Sequence, residues 1–309
     1  MVRDLMCNKI CVLLAAYNGA EYIREQLDSI LSQNSVEIDI YISLDLSTDS
    51  SIDIINSYIN DNSNIYLLEY GCRYGSAGQN FFRLLMDVDF SKYDYISFSD
   101  QDDIWLSNKL SHAIEVIKSN NVDAVSSNVL AFWKDGREKL IKKDNPQVEY
   151  DYVFESSGPG CSFVLSKDLS VAIQRSLIDN KSIVNRLWLH DWYCYSFSRS
   201  NKYKWCIDSE ALMLYRQHEN NEVGANNGFL SIFNRLKTVL SGDAFKKVLI
   251  QADFIELTNK PIILLKENTF FSLIKLAMMA NKCRRSKIDK IAFFIMISIL
   301  AVKRLFNEK

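Results

Sequence analysis

The sequence predicts an α/β protein with a mostly parallel central sheet and a C-terminal helical extension. Three observations carry this. Short apolar runs alternate with amphipathic ones through the first hundred or so residues. Three acids, Asp100, Asp102 and Asp103, cluster where the fourth apolar run ends. Open α/β sheets bind ligands beyond the carboxyl ends of their strands. From Gly228 onward the pattern turns helical. The expected units are residues 1–227, the catalytic domain, and residues 228–309, the helical extension.

Each element has its own signal. Ile10 to Ala15 is a short apolar strand that breaks at Tyr17-Asn18-Gly19. In Glu21 to Leu31, residues Tyr22, Ile23, Leu27, Ile30 and Leu31 share one helical face. Ile38 to Leu44 is the second strand. Ser47-Thr48-Asp49 supplies N-cap residue types for a helix over Ile52, Ile55 and Ile59. Ile65 to Leu68 is the third strand, Gly71 to Gly78 a glycine-rich loop and Gln79 to Met86 a helix. Tyr93 to Phe98 is the fourth strand, and Leu106 to Lys118 a helix. This order predicts parallel pairing with helices on both faces.

Further on, Ala124 to Trp133 reads as one strand, Lys134-Asp135-Gly136-Arg137 as a turn and Lys142 to Pro146 as an exposed loop. Gly158-Pro159-Gly160-Cys161 precedes the apolar Ser162 to Leu165. Trp188 to Phe197 reads as helical after His190-Asp191, and Ala211 to Tyr215 as a last strand. Near the end, Ile291 to Val302 holds only Ser298 as a polar residue. A helix of that length spans ~18 Å, short of the ~30 Å hydrocarbon core of a bilayer. Its basic flanks fit an interfacial anchor on an anionic leaflet. The alternative is a buried helix packed on its own domain or on a partner chain, as in a homodimer.

Composition narrows the function. At 309 residues and 48% apolar content the chain can bury a large core. A net charge of −2 leaves no footprint for nucleic-acid binding. The seven cysteines include no CxxC pair and read as reduced cytosolic thiols. The three histidines form no zinc-spaced cluster with them. A dinucleotide-binding oxidoreductase would carry GxGxxG after the first strand, where this chain has Tyr17-Asn18-Gly19-Ala20. A phosphoryl-transfer enzyme of the P-loop kind is excluded by the lack of that motif. Asp100 and Asp102 lie two apart, so on an extended backbone they point the same way. Such a pair suits a hard divalent cation, Mn²⁺ or Mg²⁺.

Five segments in order resemble the family 2 inverting glycosyltransferases, which have the GT-A nucleotide-sugar fold. They are Val12 to Gly19 with the following helix to Gln33, Ile42 to Asp49, Asp100 to Trp105, Leu189-His190-Asp191-Trp192, and Tyr215-Arg216-Gln217-His218. The last two resemble the bacterial rhamnosyltransferase-like branch, whose members build O-antigen, capsule and other surface polysaccharides. The resemblance implies a nucleotide-sugar donor, dTDP-L-rhamnose or a UDP-hexose, and a glycan or lipid-linked acceptor. It implies work on the cytoplasmic face of the membrane. One departure stands out: Leu44-Asp45-Leu46 replaces the family's two acids and a glycine. A catalytically impaired scaffold is the competing reading on that account.

The resemblance also implies site roles. Asp191 is the general base that takes the acceptor's proton. Asp102 is the metal ligand, with His218 completing the metal or pyrophosphate site. Asp100 and Gln101 lie on the nucleotide side, with Asp100 reaching the ribose or the metal's water. Asp45 accepts from the imide N–H of the pyrimidine base, and Tyr17 packs on that base beside Ala15. Gly75, Ser76 and Asn80 face the nucleotide. Gly160, Cys161, His190 and Trp192 line the acceptor side.

Overall fold

The computed structural model describes residues 7–217 and 243–307. Its centre is strand β1 (Asn8–Ala16), which pairs in parallel with β2 (Val36–Leu44) and β4 (Tyr95–Ser99). β3 (Ile65–Leu67) lies outside β2, also parallel. On the other side, β9 (Val164–Ser166) runs antiparallel to β4 and to β6 (Ala124–Ser127). β10 (Trp205–Asp208) closes that edge beside β6. The seven-stranded order is β10-β6-β9-β4-β1-β2-β3.

Alternation along β1 explains why both faces are covered. Cys11, Leu13 and Ala15 point into one core with α3 (Ala77–Asp87), α6 (Lys167–Asp179) and α7 (His190–Ser200). Ile10, Val12, Leu14 and Ala16 point into the other, with α1 (Ile23–Leu31), α2 (Ser51–Asp61) and α4 (Lys109–Asn120). Period-two side chains on a doubly covered strand must all be apolar, which is why this run does not alternate in sequence.

Several expected elements take a different form. Ala124 to Trp133 is two strands, because the chain changes sheets at Asn128. There β6 ends, and β7 (Val129–Phe132) joins a second sheet, whose order is β5 (Ile104–Trp105), β11 (Met213–Arg216), β7 and β8 (Glu138–Ile141). Asn128 stabilises the break with its side chain. Its Oδ1 accepts from the N–H groups of Lys143 (2.6 Å) and Asp144 (3.2 Å), and its Nδ2 donates to the Ser209 carbonyl (2.9 Å). The same bonds draw Lys143 and Asp144 inward, so the stretch read as an exposed loop is half-buried there. α4 starts at Lys109, after the two-residue β5 (Ile104–Trp105). Gly78 lies inside α3 rather than in the preceding loop. β10 had no counterpart in the sequence reading, whereas the last strand is present as β11 (Met213–Arg216).

Beyond residue 242 the described chain is helical: Asp243–Phe254, Lys260–Glu267, Phe270–Met278, Ala280–Cys283 and Lys287–Asn307. These helices share a third core with Val153 and Trp192 of the sheet-bearing part. A buried ion cluster fastens the join. Asp151, wholly buried, meets Arg199 at 3.2 Å and Arg285 at 3.3 Å, and accepts from the Tyr195 hydroxyl at 2.8 Å. The expected boundary at residues 227 and 228 lies outside the described residues.

Candidate active site

Sheet register assembles the site. Ala16 pairs with Leu44, and Leu14 with Ser99. The loops that follow β1, β2 and β4 therefore leave the sheet at one edge and carry Tyr17, Asp45 and Asp100–Asp103. Gln101 stitches two of them together. Its Oε1 accepts from the Tyr17 N–H (2.8 Å) and its Nε2 donates to the Tyr17 carbonyl (2.9 Å). That side chain is spent on backbone, while the Tyr17 ring stays exposed.

Asp45 is buried at the end of β2. Its Oδ1 accepts from Leu46 (2.9 Å) and Tyr74 (2.7 Å), and its Oδ2 from Gly75 (2.8 Å). It anchors the loop before α3 to the sheet. Gly75, at φ 86, takes a left-handed turn there that other residues adopt only with strain. Ser76 caps α3, accepting from the Gln79 N–H at 3.3 Å. Asn80 is buried and donates to the carbonyls of Ala16 (3.2 Å) and Ser43 (2.9 Å), so it ties β1 to β2.

Asp100, Gln101 and Asp102 are half-buried, whereas Asp103 is buried. Asp103 accepts from the Arg216 N–H at 3.1 Å. Arg216 also donates through Nε to the Asp102 carbonyl at 2.7 Å, pairs with Glu25, and lies over the rings of Phe132 and Tyr22. Donor atoms of Asp100, Asp103 and Cys161 lie within 4.8 Å of one another. Burial, with the neighbouring Asp102 and Asp100, pushes the Asp103 carboxyl well up, and burial does the same to the Cys161 thiol.

On the other side of β4, His190 opens α7. It stacks on Phe81 at 3.8 Å and meets Phe98 edge-on at 5.3 Å. Burial pushes the imidazole down to about 3, so it is neutral. A Cβ on Gly160 would lie 2.2 Å from His190 Nε2. The close approach at Gly160 therefore serves the histidine. Cys161 is buried against Asp103. Trp192 points into the third core and donates through Nε1 to the Tyr152 carbonyl at 3.0 Å. Gly160, Cys161, His190 and Trp192 are thus packing residues beneath the site.

Asp191 differs from its neighbours. It is half-buried, and its Oδ1 accepts from the Trp192 N–H at 2.6 Å. Burial pushes its carboxyl up to about 6, against the pull of Trp192, the Ser156 hydroxyl and the Lys143 ammonium. A carboxylate near that value is suited to taking a proton at neutral pH. His218 lies outside the described residues.

A model of the family Glycosyl transferase family 2 matches residues 11–164. The dTDP-rhamnosyl transferase RfbG of Shigella flexneri is 42% identical over 285 residues, 92% of this chain and 98% of the relative. The chain belongs to glycosyl transferase family 2. A second member, the UDP-Glc:alpha-D-GlcNAc-diphosphoundecaprenol beta-1,3-glucosyltransferase WfaP of Escherichia coli, is 31% identical over 59% of this chain and 69% of its own. Among solved structures, TarS 1-349 of S. aureus superposes with a TM-score of 0.52 at 15% identity, covering 95% of this chain and 81% of that one. This likeness concerns the fold, which is that of the GT-A glycosyltransferases.

For this glycosyltransferase, enzymes of the same fold commonly use a divalent metal. The acidic loop offers donors of the right kind: Asp100 and Asp102, both half-buried, carry the hard carboxylate oxygens that Mn²⁺ and Mg²⁺ prefer. Two further residues emerge only from the fold. Arg216 stood in a quoted motif without a role, and here it braces the acidic loop. Lys143 stood in a polar run with no local signal; Asn128 holds its backbone, and its ammonium favours the Asp191 carboxylate.

Two expectations arise directly. With Asp191 as the base, activity should climb as pH rises through about 6, because only its ionised carboxylate accepts a proton. Lys143→Met should move that limb to higher pH, since a positive charge that favours the carboxylate is lost. A pH profile of kcat/KM for both proteins checks this, and superimposable limbs would separate Lys143 from the base. Gly78→Ala should destabilise the fold by about 1–3 kcal/mol in chemical denaturation. Its Cβ would lie 2.3 Å from the Trp188 carbonyl oxygen, which is backbone and yields little.

Proposed function

We propose that the protein is an inverting rhamnosyltransferase, moving L-rhamnose from dTDP-L-rhamnose to a hydroxyl of a glycan or lipid-linked acceptor in surface-polysaccharide synthesis. The likeness to the Shigella flexneri enzyme over nearly its full length carries the choice of donor. Asp45 and Tyr17 would meet the pyrimidine, with Gly75 and Ser76 on the neighbouring loop. Asp45 still has lone-pair capacity after its three backbone bonds. Asp102 and Asp100 would hold the cation, with His218 as a further ligand.

Asp191 then acts on the acceptor. As the acceptor oxygen attacks the anomeric carbon, its proton passes to the Asp191 carboxylate. The bond from that carbon to the diphosphate oxygen breaks on the opposite face, and the electron pair leaves with the nucleoside diphosphate. Attack opposite the leaving group inverts the configuration. A bound Mn²⁺ or Mg²⁺ supplies positive charge for the departing diphosphate. The Arg216 brace ties the acidic loop to β11 and so would help to preorganise its carboxylates.

We place the enzyme at the cytoplasmic face of the membrane, where nucleotide sugars are made. A panel of dTDP- and UDP-sugars, assayed for binding and hydrolysis with and without Mn²⁺, tests the donor. Turnover of dTDP-L-rhamnose is the expected result. Turnover of a UDP-hexose with no binding of dTDP-L-rhamnose would overturn it.

A further inference from the structure

We infer that the outward face of the last helix, Lys287–Asn307, docks on an anionic lipid bilayer. The inference rests on the cytoplasmic-face placement above and adds the surface that does the work. The inner face of this helix is fully used: Phe293, Ile297, Leu300 and Ala301 are buried against the other C-terminal helices. The opposite face is apolar yet open. Ile288 is 78% exposed, Ile291 62%, Ile295 49%, Ile299 41%, Val302 46% and Phe306 70%. Steps of three and four residues keep these six on one stripe along about 30 Å of helix. A helix on a soluble surface turns a polar face outward, so this stripe needs an apolar partner.

Charge identifies the partner. Residues 260–309 carry eleven Lys and Arg against three Asp and Glu, a net charge of +8 in a chain whose total is −2. Lys287 and Lys303 are exposed near the two ends of the stripe. An apolar stripe with cationic flanks matches the boundary of an anionic leaflet, where the side chains enter the acyl region and the ammoniums meet headgroups. A second copy would set this cationic unit against its like. No helix of the described residues is long and apolar enough to cross a membrane, so the helix lies along the surface.

The docked unit is fastened to the acceptor half of the site. Arg285, two residues before the helix, donates to the Ser156 carbonyl at 2.6 Å. The Ser156 hydroxyl in turn bonds Asp191. Trp192, next to the base, is buried in the same core as the docking helix. An acceptor anchored in the bilayer would therefore meet the side of the enzyme that carries the base.

Flotation of the full-length protein with phosphatidylcholine vesicles, with and without phosphatidylglycerol, tests this. Binding should require phosphatidylglycerol and weaken in part at high salt. Ile291→Asn with Ile295→Asn should lower partitioning on the order of tenfold or more, and Lys287→Glu with Lys303→Glu should remove the lipid preference. Both double variants should still hydrolyse the donor at the wild-type rate. Absence of flotation at low salt, or flotation that neither variant alters, would overturn the inference. A wild-type dimer dispersed by the isoleucine pair, without flotation, would assign the face to a second copy. Donor hydrolysis in the same samples reports on the glycosyltransferase reading independently of docking.

Discussion

Asp191→Asn should lower kcat by ~10²–10⁴, the range for loss of a general acid–base group. The amide keeps the size of the carboxyl and can still accept from the Trp192 N–H, but it cannot take the acceptor's proton. Folding should survive, because His190 and Trp192 make the packing contacts at this end of α7. Donor affinity should also survive, since the proposed role of Asp191 is toward the acceptor. Isothermal titration of the donor beside steady-state kinetics separates the two effects. Lost donor binding with kcat intact at saturation would remove Asp191 from the role of base. An intact wild-type kcat would remove it from the reaction.

Asp102→Asn should cost about 10²-fold or more in turnover, because charge stabilisation at a leaving diphosphate is worth several kcal/mol. The variant keeps its backbone tie, the bond from Arg216 Nε to the Asp102 carbonyl. The loop should therefore hold its shape while losing one anionic oxygen donor. Mn²⁺ binding followed by electron paramagnetic resonance should weaken in parallel. Wild-type turnover by this variant in the presence of a chelator would contradict a metal role for Asp102.

Much of this was legible in the chain itself. The apolar run from Ile10 to Ala15 is a strand covered on both faces, and its end marks the ligand edge. The acids at Asp100 to Asp103 fall at the same edge because a parallel sheet puts all such ends together. Other features were not legible. Ala124 to Phe132 reads as one strand despite its polar centre at Ser126 to Asn128, and the side-chain bonds of Asn128 to residues 143, 144 and 209 show where it breaks. The pull of that asparagine on Lys143 spans fifteen residues and has no local signature.

The sequence by itself determined the α/β class, the order of strands and helices around the site, and the family through its motifs. These depend on side-chain period and residue type, which are local properties. Only the tertiary structure decided what neighbouring motif residues do. His190, Asp191 and Trp192 are consecutive, yet the first packs on Phe81, the third enters the C-terminal core, and only the second stays half-open with its carboxyl pushed up to about 6. A helix spreads its side chains about 100° apart, so three adjacent residues enter three environments. Which environment each one meets is set by α3, β4 and the last helices, all distant in sequence.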